Sequence, residues 1–315
     1  MRSALVAIAF ALIGCAENSP QVPAELIAEA RSLAPDLGEA IWPGLGDGPF
    51  RVLLIDGETE RLFCAEESVP DSFAPMGRDV ATDCDVHERP RQFDPNLLAA
   101  FPLSDGVGTI VVGTPEATEK SPEAWVATLL HELVHIRQYA SPGYDERTRA
   151  LGLHGGDETG MWMLTYPFPY QDDAAGEAFA RLAGAAADAL EARGGSGFGD
   201  ALDGYLSART GFAATISDAD LRYYDLQAWQ EGTARYVERR IEADWAKHPA
   251  TEASIMRDLS AELRGMDLAA DERVAFYPLG AAEAFLLDAA APGWERRYLD
   301  GPLSLGARLE GRKRS

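Results

Sequence analysis

The sequence is short of positive charge. Its 315 residues include 28 lysines and arginines against 51 aspartates and glutamates, which gives a formal net charge of −23. A surface this acidic repels phosphate groups, so the composition excludes nucleic-acid binding through phosphate contacts and argues against binding to anionic lipid surfaces. Hydrophobic residues make up 46% of the chain, and we therefore expect a globular body with a sizeable core.

Apolar runs long enough to cross a membrane are missing from the N-terminus. The run Ala4–Ile13 follows Arg2 and is too short to span a bilayer, but its length is typical of a signal peptide. It leads into Leu-Ile-Gly-Cys, ending at Cys15, which resembles the lipobox of bacterial lipoproteins. The resemblance implies cleavage before Cys15 and lipidation of that cysteine. Because Ala16 and not aspartate follows, it also implies the outer membrane, facing the periplasm. The alternatives are an ordinary secretory signal or a buried helix.

Cysteine is scarce, with three residues in the whole chain. Beyond Cys15, only Cys64 and Cys84 remain, and in an oxidising export compartment the simplest outcome for such a pair is one disulfide. A rival interpretation is a second metal site built from Cys64, Cys84 and His87. It lacks a fourth ligand at a suitable spacing.

The chain divides into a signal peptide (1–14), a tether with an N-terminal helix (15–48) and a single domain (49–315). In the first part of that domain (49–140) we expect a small β-sheet followed by a helix. β-Branched residues and turn dipeptides predict the strands 50–55, 61–65 and 108–113. The stretch 66–93 has the composition of a surface loop, and 95–101 that of a short helix. The remainder (141–315) is mostly helical, so the expected fold class is α+β and predominantly helical.

Histidine is also rare, yet two of the five histidines occur in one H-E-x-x-H motif formed by His131, Glu132 and His135. Ser121 and Pro122 predict the start of the helix that contains this motif. On a helix, histidines four residues apart project from one face and can bind one metal ion. The glutamate beside the first histidine can then reach a water molecule at that metal. The alternative is a pair of core histidines satisfied by hydrogen bonds.

A catalytic zinc ion usually takes three protein ligands, so a third ligand is needed. His154, Glu177 and Glu231 are the candidates. We favour Glu231, because the small residues Gly232 and Ala234 allow its helix to pack closely against another helix.

The H-E-x-x-H motif, followed far downstream by E-G-x-A-x-Y-x-E from Glu231, resembles the gluzincin branch of the zincin metallopeptidases, near the peptidase MA-like groups. The resemblance implies a zincin-like fold and a Zn²⁺ ion bound by His131, His135 and Glu231. It also implies that Glu132 acts as general base on a peptide or protein substrate. In zincins a substrate-binding edge strand precedes the active-site helix, and the strand at 109–112 occupies the corresponding place here.

Further residues are candidates for supporting roles. Tyr277 is the expected donor to the oxyanion of the reaction, with His154 and Tyr236 as rivals. Glu238 could orient one of the motif histidines, or it could form an ion pair with a neighbouring arginine, Arg235 or Arg239. The aromatic segment 161–170 could line a substrate pocket, but we favour a rigid connector packed into the core.

The sequence therefore predicts a zinc-dependent peptidase that contacts the membrane only through its lipid anchor. Three other functions remain open. The protein could be a non-peptidase zinc hydrolase or a catalytically inactive zincin-like binding lipoprotein, or it could be a structural lipoprotein without a metal.

Overall fold

A computed structural model describes residues 22–66, 68–245 and 251–311. Cys15 and the signal peptide lie outside these residues. The fold is α+β and predominantly helical, with one six-stranded mixed sheet, as the sequence predicts. The N-terminal helix α1 (Pro23–Leu33) continues into a π-helical turn (Ala34–Gly38) and the short helix α2 (Glu39–Ile41). Among the helices that the structure describes, none is both long and apolar enough to cross a membrane.

The sheet comes from the first half of the chain and is larger than predicted. Its strands are β1 (Val52–Asp56), β2 (Thr59–Phe63), β3 (Ala74–Arg78), β4 (Asp85–Pro90), β5 (Leu98–Pro102) and β6 (Gly108–Gly113). The order across the sheet is β3-β4-β2-β1-β6-β5. The pair β1 and β6 is parallel, and the other neighbouring pairs are antiparallel.

Two predictions for this half are wrong. The stretch 66–93 is not only loop, because it contains β3 and β4, and residues 95–101 contribute to β5 instead of a helix. The charged composition of β4 conceals a strand whose Arg89 is buried against Glu60 of β2, with 2.6 Å between the guanidinium and carboxylate. Because the charge of Arg89 is balanced by a residue far away in sequence, local composition could not reveal the strand.

The expected edge strand is also placed differently. β6 is paired on both sides, with β1 and with β5, so it offers no free edge to a peptide. The outer position next to it belongs to β5. The sequence indicated a strand at 109–112 correctly, but its position within the sheet depends on β5, which was not predicted.

A disulfide joins Cys64 and Cys84, as predicted, with 5.0 Å between their Cα atoms. It links the end of β2 to the start of β4, which are neighbouring strands. The rival metal site with His87 is thereby excluded, because both sulfur atoms are used in the covalent bond.

The motif helix α3 (Pro122–Tyr139) lies between the sheet and the helical half. Ser121 caps its N-terminus by accepting a hydrogen bond from the Ala124 N–H at 3.2 Å. Trp125 donates a hydrogen bond to the Gly113 carbonyl at the end of β6, at 2.8 Å. Most of the helix is buried, because apolar side chains surround most of its circumference, so its position is fixed from several sides.

The second half of the chain is helical. It comprises α4 (Tyr144–Ala150), α5 (Trp162–Thr165), α6 (Asp173–Glu191), α7 (Phe198–Ala213), α8 (Asp218–Trp245), α9 (Glu252–Gly265), α10 (Leu268–Asp271), a 3-10 turn (Glu272–Ala275), α11 (Phe276–Ala290), a second 3-10 turn (Trp294–Arg297) and α12 (Leu305–Gly311). The mostly helical composition predicted for 141–315 is confirmed.

α8 and α11 approach each other at two glycines. A Cβ atom on Gly232 would lie 2.3 Å from the Cα of Gly280, and one on Gly280 would lie 2.2 Å from the Ala228 carbonyl oxygen. Only glycine at both positions allows this backbone contact. The close packing expected of Gly232 is thus made with α11, and not with the motif helix. It brings the start of α11, including Tyr277, next to the face of α8 that carries Glu231.

Candidate metal centre

His131, His135 and Glu231 lie together between α3 and α8. Their ligand atoms all lie within 4.8 Å of one another, and no other group of this kind occurs among the residues that the structure describes. The two Nε2 atoms are 3.2 Å apart. Glu231 Oε2 lies 3.4 Å from His135 Nε2 and 3.8 Å from His131 Nε2.

These distances fit a tetrahedral zinc ion. With zinc–nitrogen and zinc–oxygen bonds of about 2.0 to 2.2 Å, ligand atoms at tetrahedral corners lie about 3.4 Å apart. The three observed separations bracket that value, so a zinc ion could be bound with little movement of the side chains. Two imidazoles and one carboxylate also form a ligand set typical of catalytic zinc.

The second nitrogen of each histidine is held by a neighbouring side chain. His131 Nδ1 lies 3.1 Å from Glu238 Oε2, and His135 Nδ1 lies 2.8 Å from Gln138 Oε1. Because each Nδ1 donates its proton to an oxygen acceptor, each Nε2 is left to bind a metal. The structure therefore places Glu238 against a motif histidine, although Arg235 also lies 3.9 Å from the same carboxylate oxygen.

Gln138 is a site residue that sequence reasoning missed. Its Nε2 atom donates hydrogen bonds to the Gln230 carbonyl at 2.9 Å and to the Tyr298 hydroxyl at 2.6 Å. These two bonds fix which end of the amide faces His135. The available signal was position: Gln138 follows His135 by three residues, which places both on one face of α3.

The centre is a compact group of opposite charges. Burial would lower the pKa of His131, but hydrogen bonds to Glu231 and Glu238 outweigh it and raise that pKa to about 10. Burial would raise the pKa of Glu238, yet its bond to His131 lowers it to about 2. Burial likewise acts to raise the pKa of Glu231, but the two histidines hold it well below its usual range. A divalent cation would take over the positive charge that the histidines supply here.

Glu132 is buried beside the ligands, with 6% of its surface exposed. Burial raises the pKa of its carboxyl, and the two motif histidines offset part of that rise. The carboxylate makes no hydrogen bond or ion pair with any residue in the described ranges, which leaves both oxygens able to accept a proton from water. This is the arrangement that a general base requires.

Tyr277 reaches the same centre from α11. Burial raises the pKa of its hydroxyl, and the charges of Glu231 and Glu132 raise it further. The hydroxyl accepts a hydrogen bond from Arg273, which is in turn 3.7 Å from Glu231 Oε1. Sequence reasoning missed Arg273, although its position four residues before Tyr277 places both on one helix face.

The rival candidates lie elsewhere. The His154 ring accepts a hydrogen bond from the Gly156 N–H within its own loop, at 3.1 Å. Glu177 is 76% exposed and faces Arg181, and the Tyr236 hydroxyl lies 3.1 Å from Asp288. None of the three belongs to the ligand group formed by His131, His135 and Glu231.

The aromatic segment 161–170 is a connector packed into the core, as favoured from its sequence. Trp162 and Phe168 are buried, and the Met163 carbonyl accepts a hydrogen bond from Gln227 of α8 at 3.2 Å. Met161 and Leu164 are about half exposed on its outer side.

Comparison with known proteins does not identify the centre. No protein-family model matches the chain, and no curated protein or solved structure matches it either.

Proposed function

We propose that this protein is a zinc-dependent peptidase with a zincin-like fold of the gluzincin type, anchored by lipid in the bacterial cell envelope. The observation that carries the proposal is the arrangement of His131, His135 and Glu231, with Glu132 beside them and making no hydrogen bond to other described residues. Zinc is the metal that best fits two imidazoles and one carboxylate at these separations.

When bound, zinc lowers the pKa of water and polarises a carbonyl group. The chain itself supplies the remaining chemistry. Glu132 accepts a proton from the attacking water and transfers it to the leaving amine, which is worth about 100- to 10,000-fold in rate. Tyr277 donates a hydrogen bond to the carbonyl oxygen as negative charge develops on it. Glu238 and Gln138 keep the two histidines in the orientation that presents Nε2.

The edge strand β5 is the element available to an extended peptide. It contacts α3, and it is hydrogen-bonded to the rest of the sheet only on its β6 side, within the described residues. Backbone pairing along its open side would bind substrate without demanding a particular sequence.

The compartment is supported by two independent features. The lipobox-like sequence that ends at Cys15 implies export and lipidation, with the outer membrane facing the periplasm as the destination. The disulfide between Cys64 and Cys84 is consistent with an oxidising environment of that kind.

The proposal is tested with the full chain purified in detergent. We expect one zinc ion per chain and hydrolysis of peptides by the wild-type protein. Glu132→Gln should keep the zinc and lose at least about 100-fold in kcat. Glu177→Gln, which changes an exposed glutamate on α6, is the matched control and should behave as wild type. Unchanged hydrolysis in Glu132→Gln would refute the assigned base. Stoichiometric zinc without cleavage of any peptide would favour a non-peptidase zinc hydrolase or an inactive binding protein.

A further inference from the structure

Arg273 is a cation at the edge of the metal centre that has no part in holding the metal. Its polar contacts are all made through Nη1, to the Tyr277 hydroxyl, to Gln227 Oε1 at 3.5 Å and to Glu231 Oε1 at 3.7 Å. Nε and Nη2 make no hydrogen bond within the described ranges, and the side chain is 25% exposed. One side of the guanidinium is therefore fixed, while the other keeps two donors for a ligand.

Once a metal ion is bound, Arg273 shares its carboxylate partner, Glu231, with that ion. Its only ion pair among the described residues is the contact with Glu231 Oε1. The other oxygen of Glu231 faces His131 and His135, so a metal bound there would draw on the same negative charge. Because the protein carries a net charge of −23, an anionic substrate would be repelled by most of its surface. Arg273, which is partly buried beside the reaction centre, provides the local attraction that such a substrate needs.

The distance from the ligand group to the Arg273 guanidinium can be spanned by one amino-acid residue of a substrate. Successive residues repeat at about 3.8 Å along an extended peptide, and a hydrogen bond adds about 2.9 Å. A carboxylate one residue beyond the bond that is cleaved would therefore reach a donor about 7 Å away. Arg273 Nη1 lies 3.7 Å from Glu231 Oε1, and the other oxygen of that carboxylate faces the two Nε2 atoms, so the guanidinium is within this reach of the ligand group.

The backbone before Arg273 is strained. Glu272 has a φ of 47° and a ψ of −128°, a conformation that residues other than glycine rarely adopt. Glu272 is the first residue of the 3-10 turn, directly after α10, and it immediately precedes Arg273. Strain of this kind persists where the surrounding structure holds a functional side chain in place.

We propose that Arg273 binds the terminal carboxylate of the substrate through Nε and Nη2, which makes the protein a carboxypeptidase. The inference rests on the proposed peptidase function and narrows its substrate to peptides with a free C-terminus. Water adds to the last peptide carbonyl, the C–N bond breaks, and Glu132 carries the proton from the water to the leaving amine. The products are a peptide shortened by one residue and a free amino acid.

The test compares benzoyl-Gly-Leu, which has a free carboxylate, with its C-terminal amide. For the wild type we expect kcat/KM to be higher for the acid by about 10- to 100-fold, as for a charge-assisted bidentate pair. Arg273→Ala should remove this difference, mainly through KM for the acid, and should retain zinc. Arg273→Lys should restore part of it, because lysine keeps the charge but not the planar fork. Arg264→Ala, at an exposed arginine of α9, should match the wild type.

A binding measurement that needs no hydrolysis accompanies the kinetics. N-acetyl-leucine should bind the Glu132→Gln protein about 10- to 100-fold more tightly than N-acetyl-leucinamide, and the additional Arg273→Ala change should abolish the preference. Equal cleavage of acid and amide, or an equal loss for both in Arg273→Ala, would overturn the inference and leave the peptidase proposal intact. Absence of zinc and of all peptide cleavage would refute the proposed function, and the binding preference would still decide the role of Arg273.

Discussion

Removing the Glu238 carboxylate should weaken zinc binding although Glu238 is not a ligand. Its oxygen accepts the Nδ1 proton of His131 at 3.1 Å in a buried position, and this bond orients the Nε2 atom toward Glu231. Loss of such a support typically costs 10- to 100-fold in metal affinity, which corresponds to about 1.4 to 2.7 kcal/mol. We expect Glu238→Ala to fall in this range. Glu238→Gln should lose less, because the amide oxygen still accepts the proton while the charge is gone.

The assay is competition for zinc with a chromogenic chelator at fixed pH. Glu242→Ala is the matched control, since Glu242 lies one helical turn further along α8 and contacts Arg239 instead of a histidine. Arg235 keeps its 3.0 Å partner Glu262 when Glu238 is changed, so the variant should remain folded. The expected order of affinity is wild type equal to Glu242→Ala, then Glu238→Gln, then Glu238→Ala. A zinc affinity of Glu238→Ala within twofold of wild type would refute the orienting role.

Three further predictions concern stability, measured as the free energy of unfolding in urea. Gly232→Ala should destabilise by about 1 to 3 kcal/mol, because the new Cβ would lie 2.3 Å from the glycine Cα that faces it on α11. Gly184→Ala, at an open helical position, should not destabilise, and equal effects would contradict the close contact. Burial raises the pKa of Glu283 from 4.5 to about 7. The folded state thus binds this proton more tightly, and stability present below pH 4.5 is lost as pH rises toward 7, by up to about 3 kcal/mol. Glu283→Gln should remove that part of the pH dependence, and an unchanged profile would exclude Glu283 as its source. Replacing Cys64 and Cys84 by alanine should cost about 3 kcal/mol, whereas an unchanged midpoint would show that the bond adds no stability.

The ligand group was largely predictable because its signals are local. A four-residue spacing on a helix fixes His131 and His135 on one face, and a capped helix start fixes the helix itself. Glu231 could be selected from the small residues Gly232 and Ala234 that follow it, although in the structure Gly232 contacts α11. Each of these predictions depends on residues that lie within one or two turns of a single helix.

The supporting residues were less predictable because they depend on distant partners. The role of Gln138 can be recognised only from its hydrogen bonds to Gln230 and Tyr298, which lie in other parts of the chain and fix the orientation of its amide. The role of Arg273 can be recognised only from the packing of α11 against α8, which brings it close to Glu231. Neither relation has a periodic or compositional signature, so the sequence identifies such residues only after the fold is known.

The sheet illustrates the same limit. β1 and β6 are rich in apolar and β-branched residues, and β2 follows a turn dipeptide, so their sequences predicted them. β4 carries charged residues whose cost of burial is removed by pairing with β2, and β5 lies at the outer position of the sheet. Strands of this kind are determined by their neighbours, which explains why 66–93 resembled a loop and 95–101 a helix.

The central claim is that His131, His135 and Glu231 bind one zinc ion, and the most direct test is the zinc content of two purified variants. Glu231→Ala should lose stoichiometric zinc, because it removes one of three ligands. His154→Ala should retain one zinc ion per chain, because His154 lies outside the ligand group. Two results would contradict this claim. One is zinc that is retained in Glu231→Ala but lost in His154→Ala. The other is a wild-type protein that is purified without zinc and binds none when zinc is supplied.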